Sequence, residues 1–145
     1  MDRNDEMIKQ FGKRVGYTET EQEKFKEGGH RVRHIGHMSP ASKRYTVEAD
    51  VVKSRGCNSG YKIGDKFIMD VDGNFISKLC PKRLCVYLVS QLAIPVALIN
   101  ERLSEGLDPT QFHFMHYVRC PDVGVDCSGY GEVMLRVQVV PRQPK

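Results

Sequence analysis

The sequence predicts an α+β fold: a mostly antiparallel β-sheet packed by one long central helix, with a helical N-terminal arm. Three observations carry this. Apolar residues alternate with a period of two over residues 45–51 and again over 133–139, Asp72-Gly73 joins two short apolar runs, and one 16-residue apolar run, 84–99, stands between these strand groups. Strands grouped on either side of a single helix suit an antiparallel sheet with the helix across one face. Residues 1–44 are read as the arm and its linker, and 45–145 as the core domain; at 145 residues the whole chain fits one domain.

In the arm, Asn4 or Asp5 caps a first helix whose Met7, Ile8, Phe11 and Val15 share one face, and Gly16 stops it. Thr18 and Glu21 form a capping-box pattern opening a second helix, which Gly28-Gly29 ends. Residues 30–38 hold no clear period, and Ser39-Pro40-Ala41-Ser42 reads as the linker. The arm has too few apolar residues to fold alone, so it is expected to pack on the body or on a partner.

The core begins with a half-buried strand in which Tyr45, Val47, Ala49 and Val51 alternate with Thr46, Glu48 and Asp50. Gly56, Gly60 and Gly64 punctuate a loop. Phe67, Met69 and Val71 lead into Asp72-Gly73 and Phe75 and Ile76 lead out, a hairpin signal. Pro81 suits the first position of the central helix, along which Leu84, Leu88, Leu92, Val96, Ile99 and Leu103 recur at helical spacing, with Pro95 as a kink. Two strands follow, one with Phe112, Phe114, His116, Val118 and Cys120 on a face and one with Val133, Leu135, Val137 and Val139.

Composition excludes several classes. The formal charge of +4 is mild and each part is nearly balanced, with 10 Lys/Arg against 7 Asp/Glu in residues 1–44 and 12 against 11 in the rest. That is not the dense basic stripe of a nucleic-acid binder, so no nucleic acid is expected. The apolar run contains Ser90, Gln91 and Pro95 and is shorter than the roughly 20 residues of a bilayer span, so no membrane is expected. The acids Asp2, Asp5 and Glu6 in residues 1–15 argue against a signal peptide. Five cysteines without that signal are expected to be reduced thiols in a cytoplasmic protein.

Those cysteines are the candidate chemistry. Cys57, Cys80 and Cys120 each lie in a glycine- or proline-marked break, where backbone rather than core packing positions the side chain. Cys80, read as the N-cap of the central helix, would face unpaired N–H groups, with Lys82 and Arg83 adding positive charge; that suits a thiolate or a bound anion. Cys85 is read as one turn inside the helix. His116 is the candidate base and Asp122 a second proton carrier, although His116 on an apolar face and Asp122 in a turn also suit purely structural roles. Cys57, Cys80 and Cys120 are the candidate ligands of a zinc or iron ion, yet no C-x-x-C knuckle is present. His30, His34 and His37 would share one side of a helix, but Gly36 and Arg31-Val32-Arg33 argue against a helix, and solvated or hydrogen-bonded histidines are expected.

Gly56-Cys57, Gly60-Tyr61 and Gly64-Asp65, then Cys80-Pro81, then Cys120-Pro121-Asp122 occur in that order. With them, residues 45–140 resemble a family of small uncharacterised bacterial and archaeal proteins. The resemblance implies that Cys57, Cys80 and Cys120 are the shared cysteines and that Cys85 and Cys127 are particular to this chain; it brings no established activity. The expected function is a cytosolic accessory protein whose cysteine-centred pocket, with Cys57, Lys82 and Arg83 as ligand-binding residues, holds a metal or a small anionic molecule. The alternatives are a small enzyme using Cys80 as nucleophile or acid on an anionic substrate, and a structural subunit. Residues 1–44 are the expected contact with a second copy or partner subunit.

Overall fold

The structure, a computed structural model, describes residues 2–142. Three helices form the arm: α1 (Arg3–Val15), α2 (Glu19–Lys26) and α3 (Gly29–Arg44). Asp2, two residues before the nearer expected cap, accepts the Asn4 N–H, and Gly16 closes α1 in the left-handed region at φ 85°. The Thr18–Glu21 capping box forms with both of its bonds, 3.2 and 2.7 Å. Phe11, Tyr17 and Phe25 then stack within 6 Å of one another, joining α1 to α2.

The expected linker is instead the last part of α3. The helix runs through Pro40 and meets the first strand at Tyr45 with no intervening loop. Its sequence gives little helical signal because docking holds it in place. The His37 Nδ1–H donates to the Ser104 carbonyl at 2.9 Å, and the Ser104 hydroxyl, whose proton goes to the Asn100 carbonyl, accepts from His34. Two of the three histidines are thus half-buried and hydrogen-bonded to Ser104, on a helix that Gly36 and Arg31-Val32-Arg33 do not suggest. The third, His30, faces the Arg33 guanidinium, which also pairs with Glu105.

The sheet has four strands: β1 (Tyr45–Arg55), β2 (Lys66–Met69), β3 (Tyr117–Arg119) and β4 (Glu132–Pro141). They lie in the order β2-β1-β4-β3, and every neighbouring pair is antiparallel. β1 and β4 form the long central ladder, with a bulge between Val51 and Lys53. Alternation puts Val47, Ala49, Val51, Val133, Leu135, Val137 and Val139 on the core face, all buried. On the opposite face Asp50 is 8 % exposed between Arg136 and Gln138, each 3.2 Å from its carboxylate. The expected hairpin is reduced to a turn at 70–74 closed by a single bridge from Met69 to Phe75, where the Asp70 carboxylate accepts the Asp72 and Asn74 N–H groups and Gly73 alone takes a positive φ, 91°.

The central helix, α4 (Val86–Ser104), covers the core face with Leu88, Leu92, Ile99 and Leu103. It contains a 3-10 turn at Ser90–Leu92, after which Pro95 falls in the first turn of the final α segment, where its missing N–H costs nothing. Two expectations fail around it. The helix starts at Val86 and not at Pro81. The strand expected over 112–120 is reduced to Tyr117–Arg119, because Met115 takes φ 55° and breaks the extended run, leaving Phe114 67 % exposed.

Candidate functional site

The helix start moves because Tyr61, only 5 % exposed, reaches across from the loop after β1. Its hydroxyl donates to the Arg83 carbonyl and accepts the Cys85 N–H, both at 2.8 Å. Those two backbone groups would otherwise serve a helix beginning at Pro81. With the hydroxyl holding them, residues 81–85 stay non-helical and Cys85, not Cys80, becomes the N-cap, in the extended region at φ −77° and ψ 117°.

Cys80 is therefore corrected from helix mouth to sheet edge. It closes the 3-10 turn Ser77–Leu79, and its sulfur lies 3.3 Å from both the N–H and the carbonyl of Ile68, accepting from one and donating to the other. A thiol placed this way adds to the outer edge of β2, where the Ile76 N–H already donates to the Ile68 carbonyl at 2.8 Å and Phe75 bridges Met69. Its job is pairing, and its sulfur is occupied.

Cys85 has the surroundings expected of Cys80. Burial raises its thiol pKa, but the N–H groups of Leu88 and Tyr87 and the Ser59 hydroxyl outweigh it, so the thiol lies below its ordinary value. No full side-chain cap bond closes there, so the sulfur is polarised by these donors without being tied down as an N-cap. Tyr61 moves the other way: burial raises it foremost, the Cys85 N–H opposes, and the negative charge available to Cys85, Cys57 and Asp65 raises it further. Tyr61 is thus a neutral hydroxyl clamp with Cys57 and Cys85 as its sulfur neighbours. Cys57, Cys85 and Cys120 all pack against the hydrophobic core, and Lys82 and Arg83 stand exposed just before Cys85.

The remaining expected residues do not join this corner. Among the described residues no group of three or more His, Cys, Asp or Glu side chains could hold a metal ion, so the Cys57, Cys80 and Cys120 set is not assembled. The Cys80 sulfur is taken by Ile68, and the Cys120 N–H extends the β3–β4 ladder by bonding the Val133 carbonyl at 2.9 Å. His116 bonds the His113 carbonyl through Nδ1 and rests against Tyr117, and no hydrogen bond among the described residues links it to a cysteine. The Asp122 carboxylate accepts three backbone N–H groups, from Tyr130 and Gly131 at 2.9 Å and from Gly124 at 3.2 Å, and these bonds hold it below the usual carboxylate range. That is the grip of a loop organiser, not of a proton carrier.

Tyr61 and Ser59 are the residues that reading along the chain does not single out for chemistry. The one available signal is their place in the glycine-punctuated loop beside Cys57, since no local period marks a contact to a residue 24 positions away. Comparison with protein-family models, with curated proteins and with solved structures found no match to this chain.

Proposed function

We propose that the chain is a cytosolic accessory protein that binds a small anionic, thiol-reactive molecule at Cys85. The observation that carries the reading is the Tyr61 clamp, which fixes Cys85 at the start of α4 with its thiol biased toward the thiolate. Lys82 and Arg83 supply the charge for the anionic group, and the Cys85 sulfur meets the electrophilic centre. The zinc or iron expectation is not carried into this reading, because no ligand set is assembled among the described residues. Nor is the His116 and Asp122 proton relay, since both side chains are engaged by backbone.

The test is the rate of iodoacetamide alkylation followed against pH and read peptide by peptide in a mass spectrometer. Cys85 is expected to react with a half-point below the roughly 8.5 of an ordinary thiol. A Cys85 half-point at or above that value sinks the proposal.

A further inference from the structure

From Gly73 to Asn100 the chain contains no Asp or Glu, and Lys78, Lys82 and Arg83 in this stretch are exposed. None of the three forms an ion pair among the described residues. Beside them lies apolar surface. Helix α4 buries Leu88, Leu92, Pro95 and Ile99, while Tyr87, Ser90, Ile94 and Ala97, spaced at three and four residues, face outward. Val86 and Tyr87 are each 67 % exposed, and Ile94 55 %. The Tyr61 clamp also brings its loop to this corner, where Ile63 is 71 % exposed.

We infer that this corner docks on the surface of an anionic lipid bilayer. Ile63, Leu84, Val86, Tyr87 and Ile94 enter the interface, and Lys78, Lys82 and Arg83 contact the headgroups. An apolar face with unpaired cations at its rim, in a stretch of chain that carries no acid, fits that partner. The acid of the Ile63 loop, Asp65, accepts the Lys62 N–H of its own loop at 2.9 Å. An exposed tyrosine at the boundary suits a surface that is apolar on one side and wet on the other. A second copy fits worse: an isologous contact through this face would set the cations of the two copies against one another.

Surface seating, and not crossing, is the mode that the fold allows. On length and composition α4 could span a membrane, with 19 residues and a mean hydropathy of 1.2, but its Leu88, Leu92, Ile99 and Leu103 are packed into the protein's own core. The expectation of no membrane, drawn from Ser90, Gln91 and Pro95 within a 16-residue apolar run, concerns a span and leaves a surface contact open. The inference makes no use of the thiol chemistry proposed for Cys85.

Co-sedimentation of the full chain with phosphatidylglycerol-rich vesicles and with pure phosphatidylcholine vesicles tests it. Binding is expected to the anionic vesicles and to weaken as salt is raised. The double variant Lys82→Ala/Arg83→Ala is expected to bind about 25-fold more weakly, at roughly fivefold per cation. Tyr87→Ser/Ile94→Ser, at exposed positions, is expected to lose about tenfold. Circular dichroism spectra matching the wild type establish that both variants are folded. No binding to anionic vesicles overturns the inference, as does equal binding by folded variants. A concentration-dependent dimer that the Tyr87/Ile94 variant abolishes also overturns it, by giving the face to a second copy.

Discussion

Cys80 and Cys85 stand at the two ends of one short non-helical segment, and both are half-buried. Their surroundings differ in what the backbone asks of the sulfur. At Cys80 the thiol closes the outer edge of β2, accepting the Ile68 N–H and sharing the Ile68 carbonyl with the Ile76 N–H. At Cys85 the backbone N–H is already taken by Tyr61, the N–H groups of the first turn of α4 lie near the sulfur, and no cap bond consumes it. The first sulfur is used by the fold; the second is prepared by the fold and left open. Position beside a proline or at an apparent helix start does not tell these cases apart, whereas the hydrogen-bond partners do.

The contrast breaks most severely at Tyr61. Tyr61→Phe keeps the ring in the core but leaves the Arg83 carbonyl and the Cys85 N–H without their partner. At about 1 kcal/mol for each bond lost, the expected cost is about 2 kcal/mol in urea unfolding. The same variant should move the Cys85 alkylation half-point toward that of an ordinary thiol, an effect that loss of stability alone would not produce. A half-point unchanged from wild type would show that the clamp does not prepare the thiol.

Next comes the edge itself. Cys80→Ala strips the Ile68 backbone of its side-chain partner and is expected to cost about 1 kcal/mol, while Cys80→Ser, which can make the same two bonds, should recover most of the loss. Equal stability of the serine and alanine variants would mean that the thiol fills space and does not pair the edge.

The smallest effect is the one that most sharpens the comparison. Cys85→Ala should change stability at neutral pH by less than about 0.5 kcal/mol, because no cap bond is lost. Its pH dependence carries the sign. The folded-state thiol is held below its unfolded value, so the stabilising contribution is complete above the unfolded value near 8.5 and disappears as pH falls through the folded one. Wild type should therefore gain on Cys85→Ala between neutral pH and about pH 9, read as the difference in urea midpoints. A gap that narrows over that range contradicts the direction assigned to the thiol.

Much of the frame is legible along the chain because its causes are local. The Thr18–Glu21 capping box, the turn around Asp72-Gly73 and the alternation in β1 and β4 all form where their residue types predict. The misses share a different cause. Helix α3 carries Gly29, Gly36 and Pro40, poor helix formers, and is held by His34 and His37 bonding to Ser104 some 70 residues away. The strand expected across 112–116 fails because Met115 leaves the extended region and only three residues find a partner in β4.

What the sequence by itself determined, then, is the α+β frame: two alternating strands, a turn and one apolar helix, each dictated by periodicity and by turn and cap residues within a few positions. The tertiary structure alone decided which cysteine stands at the mouth of that helix. The reason is a phenol hydroxyl from a distant loop that takes the Arg83 carbonyl and the Cys85 N–H, and such long-range competition for backbone hydrogen bonds leaves no mark in any local pattern.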